Sequence, residues 1–306
     1  MKALVTGGGG FLGSFLVERL RNRGDEVVVP RRVDFDLTHW DDAERLFSTT
    51  QPDIVFHLAA EVGWIGANRA NPGRYWFANL IMGAHVLELS RRYGVSKLLI
   101  AGTVCAYPKF TPTPFKEDDL WDGYPEETNA PYGVAKKAVL VGAQASREQY
   151  GLDAVFLLPA NLYGPRDNFD LDTSHVVPAL IRKMLAGSNE VVLWGDGSPT
   201  REFLYVEDAA DAFVLAADRY SGAEPVNIGT GVEISIRELS ETIRELTGFT
   251  GTIVWDKSMP NGQPRRRLDV ARAEEQLGFH AGTALDEGLA RTIEWFRAQP
   301  PADAVR

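Results

Sequence analysis

Four consecutive glycines, Gly7 to Gly10, constrain this chain more than any other stretch. Ahead of them, residues 2–6 form a short apolar run of strand length. Behind them Phe11, Leu12, Phe15, Leu16 and Leu20 recur at helical spacing. Gly13 adds a glycine one turn on, so Gly7-x-x-Gly10-x-x-Gly13 and Gly8-x-Gly10-x-x-Gly13 can both be read. Strand, glycine turn and helix in that order allow tight turning and close backbone approach, and leave helix N–H groups facing outward. Such N–H groups suit a pyrophosphate, so the stretch predicts a dinucleotide site rather than a mere flexible turn.

The pattern then alternates. Strands are predicted at 26–29, 53–58, 97–101 and 154–158, with helices near 73–93 and 131–150. The alternation implies an α/β fold, a Rossmann-type doubly wound parallel sheet. Past residue 165 the pieces shorten, and glycine and proline become more frequent. A helix is expected at 175–186, strands at 191–195 and 201–206, and helices at 207–219, 235–247 and 283–297. The expected organisation is a dinucleotide-binding domain over 1–165 and a smaller C-terminal α/β substrate-binding lobe over 166–306. Part of 201–230 is expected to return to the first domain.

Bulk properties exclude several classes. A chain of 306 residues can bury a large core. Its net charge of −10 argues against nucleic acid as a partner. No apolar run reaches membrane-spanning length, and the first residues enter a strand pattern without a signal-peptide pattern. A lone Cys105 allows no internal disulfide and fits a reducing compartment, so the expected location is cytoplasmic. The five histidines show no metal-ligand spacing, so no metal is expected; His39, His57, His85 and His280 read as structural.

Chemistry concentrates elsewhere. Tyr132 and Lys136 stand four apart on a predicted helix, hence one turn apart on one face. A lysine beside a phenol favours the phenolate and predicts a lowered tyrosine pKa, suiting proton exchange with a hydroxyl or carbonyl. Tyr93 and Lys97 repeat the spacing, but Gly94 ends one helix and Lys97 opens a strand, so that pair shares no face. Gly102 and Thr103 follow a strand, at the sheet edge where ligands bind. Ala59 and Ala60 are small enough for backbone to approach a cofactor. At the end of the second strand Arg31 and Arg32 replace the acid that holds a ribose 2′-OH, which favours a 2′-phosphate, though Asp34 and Asp36 keep NAD open. Residues 61–71 read as a loop over the site. On its own, Cys105 reads first as a small buried hydrophobe. His175 reads equally as a cap or packing residue at its helix start, and Trp194 as core.

Together these motifs resemble the extended short-chain dehydrogenases that act on nucleotide sugars. The narrower stretches are 105–109 (CAYPK), 161–165 (NLYGP), 174–178 (SHVVP), 194–197 (WGDG), 201–204 (REFL) and 227–231 (NIGTG). They are similar to the GDP-L-fucose synthase branch, across essentially the whole chain. That branch converts GDP-4-keto-6-deoxy-D-mannose to GDP-L-fucose, by epimerisation at C3 and C5 and NADPH reduction at C4. The resemblance implies Tyr132 as general acid, Lys136 on the nicotinamide ribose, Thr103 in place of a serine at the reacting oxygen, and Cys105 and His175 as the epimerisation pair. It implies an NADP site from Gly7, Gly8, Gly9, Gly10, Phe11, Leu12, Gly13, Arg31, Arg32, Asp36, Leu37, Leu58, Ala59, Ala60, Ala101, Gly102, Pro159, Asn161, Leu162 and His175, with Asp36 and Leu37 by the adenine. Asn161, Lys183, Trp194, Arg201 and Arg266 are implied to hold the GDP-linked substrate. A homodimer through helices 73–93 and 131–150 is implied as well.

The chain departs from the branch in three places. Thr103 keeps the serine's hydroxyl. Lys183 replaces an arginine and loses its two-pronged hydrogen bonding. Trp64 stands where glycine is usual, which narrows the expected sugar pocket. Competing readings are another nucleotide-sugar 4-epimerase or 4-ketoreductase, and a non-catalytic NADP-binding regulator. A regulator needs no proton donor, which Thr103, Tyr132 and Lys136 together supply. A 4,6-dehydratase would want an acid–base carboxylate pair beside Thr103, where Val104 and Cys105 follow instead.

Overall fold

The computed structural model of the chain describes residues 1–63, 70–171, 173–259 and 261–300. Its elements run β1 (Lys2–Thr6), α1 (Phe11–Asn22), β2 (Glu26–Val28), α2 (Trp40–Thr50), β3 (Ile54–His57), α3 (Pro72–Arg92) and β4 (Lys97–Ala101). Then come α4 (Ala130–Tyr150), β5 (Ala154–Pro159), β6 (Asn161–Tyr163), α5 (Val176–Leu185), β7 (Glu190–Trp194), β8 (Thr200–Tyr205) and α6 (Val206–Arg219). The chain closes with β9 (Val226–Ile228), β10 (Glu233–Ser235), α7 (Ile236–Thr247), β11 (Thr252–Asp256), α8 (Ala271–Leu277) and α9 (Leu285–Arg297).

The main sheet is parallel, in the order β2-β1-β3-β4-β5-β9. Its central strands carry runs such as Leu98, Leu99 and Ile100, buried on both faces, as a sheet covered on two sides requires. The strand order reverses at β1, so the crevice between β1 and β3 opens at their carboxyl ends, where ligands enter such sheets. β9 joins this sheet and α6 packs on α1, so residues 206–228 belong to the first layer system. Asn161–Tyr163 leaves it and pairs with β8, which in turn pairs antiparallel with β10. β11 and β7 form a parallel two-stranded sheet. A second apolar core of Val177, Leu180, Ile181, Leu239, Ile243, Leu289 and Ile293 lies under α5, α7 and α9.

Burial alone offers an upper stabilisation of ~25 cal/mol per Å² of apolar surface removed from water. Each core supplies a wall, and the cavity lies where their edges meet. No helix among the described residues is long and apolar enough to cross a membrane.

Candidate functional site

The glycine turn is built by close contact. Gly7 has φ 73°, and a Cβ there would stand 2.7 Å from the Ala59 nitrogen, so β1 and the segment after β3 touch through backbone. A Cβ on Gly13 would fall 2.1 Å from the Gly7 carbonyl oxygen. Gly10 caps α1 with no side-chain bond, and the N–H groups of Phe11, Leu12 and Gly13 are the first-turn donors left without helical acceptors. Among the described residues nothing lies within 4 Å of a Cβ built on Gly9. This cradle of outward N–H groups and missing side chains fits a dinucleotide pyrophosphate. Leu58, Ala59 and Ala60 follow β3 beside it, and Ala101 ends β4.

Arg31 and Arg32 lie past the end of β2, both exposed. Arg31 pairs with Asp34 at 2.9 Å; Arg32 pairs with Glu61 at 2.6 Å and Asp36 at 3.5 Å. Leu37 turns its side chain into the core, and its carbonyl meets His85 Nδ1 at 2.9 Å, so only backbone is left for a ligand there.

A cavity of ≈ 690 Å³ opens beside the cradle, within the usual size of ligand pockets (~300–1,000 Å³). Its walls include Phe11, Gly102, Thr103, Cys105 and Tyr132 from the first layer system, with Pro159, Asn161 and Leu162 at the crossing. His175, Lys183, Trp194, Arg201 and Arg266 line it from the other side. Thr103 accepts the Cys105 N–H at 3.2 Å, and its hydroxyl lies near enough to the Tyr132 phenol to influence it. A Cβ on Gly133 would stand 2.6 Å from the Cys105 carbonyl oxygen, so its absence lets α4 bring Tyr132 against the Thr103–Cys105 turn.

The expected lysine effect on Tyr132 is not found. Lys136 is buried behind the wall and donates to the Ala101 carbonyl at 2.8 Å rather than to the phenol. Burial pushes the Tyr132 phenol well above its ordinary pKa, with the nearby Cys105 adding to the rise and the Thr103 hydroxyl opposing it. Tyr132 is therefore a neutral phenol at neutral pH, a donor rather than a base. Burial also lowers Lys136 to about 8. On the facing side His175 is the N-cap residue of α5 but makes no capping hydrogen bond; its ring is open to the cavity, and the protein around it lowers its pKa by desolvation.

Two guanidiniums mark the anionic end. Arg201 is pushed down to about 10, by desolvation first and by neighbouring Arg266 second. Arg266 reaches Gln263 Oε1 at 2.9 Å and Cys105 Sγ at 3.7 Å. Neither has a carboxylate partner among the described residues, an arrangement that suits an incoming diphosphate. Lys183 Nζ lies 3.3 Å from the Val192 carbonyl. Trp64 lies outside the described residues, as does most of the loop expected over the site. Glu126, Asn129 and Gln263, which sequence reasoning missed, also line the cavity, as does Ser174, noted in that reasoning only as part of the 174–178 stretch. Glu126 and Asn129 fall within six residues ahead of Tyr132, and Gln263 three before Arg266; proximity to a motif was their only signal.

A model of the NAD dependent epimerase/dehydratase family matches residues 3–229. The chain is 43% identical to GDP-L-fucose synthase 1 of Arabidopsis thaliana over 300 residues, 96% of this chain and 93% of that one. It is 38% identical to GDP-L-fucose synthase of Escherichia coli (strain K12) over 309 residues, 96% of each. Among solved structures, a GDP-L-fucose synthetase from Naegleria fowleri bound to NADP superposes with a TM-score of 0.87 at 28% identity, covering 97% of this chain and 94% of that one.

Proposed function

Because the chain belongs to the NAD dependent epimerase/dehydratase family, whose enzymes depend on a nicotinamide dinucleotide, we propose that it is an NADPH-dependent 3,5-epimerase and 4-reductase of a GDP-4-keto-6-deoxy sugar, that is, a GDP-L-fucose synthase. One observation carries this reading: Thr103, Cys105, Tyr132 and His175 line a single cavity with Arg201 and Arg266. A plain reductase needs the first and third of these; it has no use for a thiol and an imidazole from opposite walls. NADPH, when held at the glycine cradle, would supply the hydride for reduction at C4.

The chain's residues handle the protons. Thr103 and Tyr132 hydrogen-bond the C4 oxygen, which acidifies the C–H bonds at C3 and C5. Cys105 and His175 take a proton from one face of each carbon and return one to the other. Tyr132 then gives its proton to the C4 oxygen as that carbon is reduced. Lys136, one turn behind Tyr132, is assigned the nicotinamide ribose, although it is buried and donates to the Ala101 carbonyl. Arg31 and Arg32 at the end of β2 support NADPH over NADH: both guanidiniums are exposed, and the Arg31–Asp34 pair, exposed on both sides, is worth only ~0–1 kcal/mol. A homodimer is supported by exposed apolar residues at helical spacing, Phe77 and Ala84 on α3 and Ala138, Val141 and Ala145 on α4.

The test is proton exchange without reduction. Given the 4-keto sugar in D₂O with no NADPH, the enzyme should place deuterium at C3 and C5. Cys105→Ser should lose most of it, and His175→Asn should slow it. Oxidation of NADPH with no exchange at either carbon would leave only a 4-ketoreductase.

A further inference from the structure

Glu126 is a half-buried carboxylate that lines the cavity and has no cationic partner among the described residues. It stands six residues ahead of Tyr132, in the turn that leads into α4. Both of its hydrogen bonds fall on one oxygen: Oε2 accepts from the Thr128 hydroxyl and, at 2.7 Å, from Asn129 Nδ2. Its carbonyl accepts the Asn129 N–H at 3.0 Å, which fixes the turn. The side chain is thus clamped at one oxygen, while Oε1 makes no hydrogen bond among the described residues. A fixed acceptor of this kind in a ligand cavity calls for a neutral donor, because an anion is repelled and no cation is at hand. The nucleotide diphosphate has its own seat at Arg201 and Arg266, and the ketone oxygen has Thr103 and Tyr132. Of the neutral donors left on a nucleotide sugar, the base N–H groups and the ribose hydroxyls lie beyond the diphosphate, and the ring hydroxyls lie beside the ketone, the end that Tyr132 receives.

We propose that Glu126 is a specificity-determining residue that accepts a hydrogen bond from a hydroxyl at C2 or C3 of the sugar ring, an assignment that rests on the functional reading above. Its negative charge adds orientation: a substrate entering reversed would press its diphosphate on this carboxylate. The bland alternative is that Glu126 only rigidifies the start of α4, and the test separates the two. Wild type, Glu126→Gln and Glu126→Ala would be assayed with the GDP-4-keto sugar and with its 2-deoxy and 3-deoxy analogues. Hydrogen bonds to a charged partner are worth enough for a loss of about 10- to 100-fold in kcat/KM on the parent sugar, chiefly through KM. With the analogue lacking the recognised hydroxyl, wild type has already lost that contact, and the substitutions should add less than about threefold. The analogue that escapes identifies the carbon. An equal penalty on all three sugars, or none on the parent, overturns the proposal while leaving the epimerase–reductase reading intact. Wild type inactive on all three would instead overturn that reading, and this inference with it.

Discussion

Lys136 shows how a residue can be kept at a cost. It is 2% exposed, its ammonium has one hydrogen bond in the described structure, and burial lowers it from 10.5 to about 8. Between those two values the unfolded chain binds a proton that the folded one has released. Stability therefore rises with pH from about 8 to 10.5, and below pH 8 the penalty is present in full. At ~1.4 kcal/mol per pH unit it reaches roughly 3 kcal/mol. Lys136→Met removes that penalty but leaves the Ala101 carbonyl unpaired, which costs about 1–3 kcal/mol. The variant should be as stable as wild type at pH 7 or slightly more so, and should lose ground by pH 10, while turnover disappears. Urea melts at both pH values check this; a loss of more than ~1 kcal/mol at pH 7 would show that the ammonium is not penalised. The spacing of Tyr132 and Lys136 was legible in the sequence because helix geometry is local. The direction of the Tyr132 shift was not. It depends on the Ala101 carbonyl taking the ammonium and on walls contributed by distant segments.

At the scale of elements, the glycine turn separates folding from binding. Gly13→Ala would drive its methyl into the Gly7 carbonyl and Gly8 Cα, backbone atoms that cannot step aside. It should destabilise the fold by about 1–3 kcal/mol or more. Gly9→Ala meets nothing within 4 Å among the described residues, so the apoprotein should melt within ~1 kcal/mol of wild type. The added methyl would stand on the open side of the cradle, and dinucleotide affinity should fall at least about tenfold. Thermal melts with and without NADPH distinguish the two, and a Gly9→Ala protein that binds the dinucleotide normally would put the pyrophosphate elsewhere. Long elements were legible from period and punctuation, as in α4, which runs from the Asn129 N-cap to a left-handed Gly151. The three-residue strands β6, β9 and β10 were not, since three residues hold too little alternation to stand out and these strands exist through tertiary pairing; β2, equally short, was legible from its place after the glycine turn and α1. Helix α2, whose stripe of Ala43, Leu46 and Phe47 has helical spacing, was not among the expected elements.

For the molecule as a whole, the cavity depends on two cores meeting at Asn161–Tyr163, and one group beside that crossing couples the assembly to pH. Asp167 follows β6; its Oδ2 is buried without a hydrogen-bond partner among the described residues, and burial raises its carboxyl to about 7 against the opposing Asn168 N–H. An acid raised in this way stays protonated in the folded state between about pH 4 and 7, where the unfolded chain has ionised. Stability then falls as pH rises through that window, and the penalty is complete above it. Most other shifted surface carboxylates work the opposite way: Glu88, lowered to about 2 by its hydrogen bond with Arg91 against some desolvation, contributes stability that is lost only as pH falls through its folded value. The Asp167 contribution runs against those of buried His57, lowered to about 3, and Lys136, which raise stability as pH rises through about 3 to 6.5 and about 8 to 10.5. Asp167→Asn keeps the neutral shape and an acceptor for the Asn168 N–H but cannot ionise. It should be more stable than wild type at pH 8, by a gain on the order of 2 kcal/mol, and the two proteins should converge as pH approaches 4. Urea midpoints at pH 4.5, 6 and 8 measure the gap directly. A gap that stays constant across the series would mean that Asp167 ionises freely in the folded protein and that the crossing between the two cores is wetter than its geometry indicates.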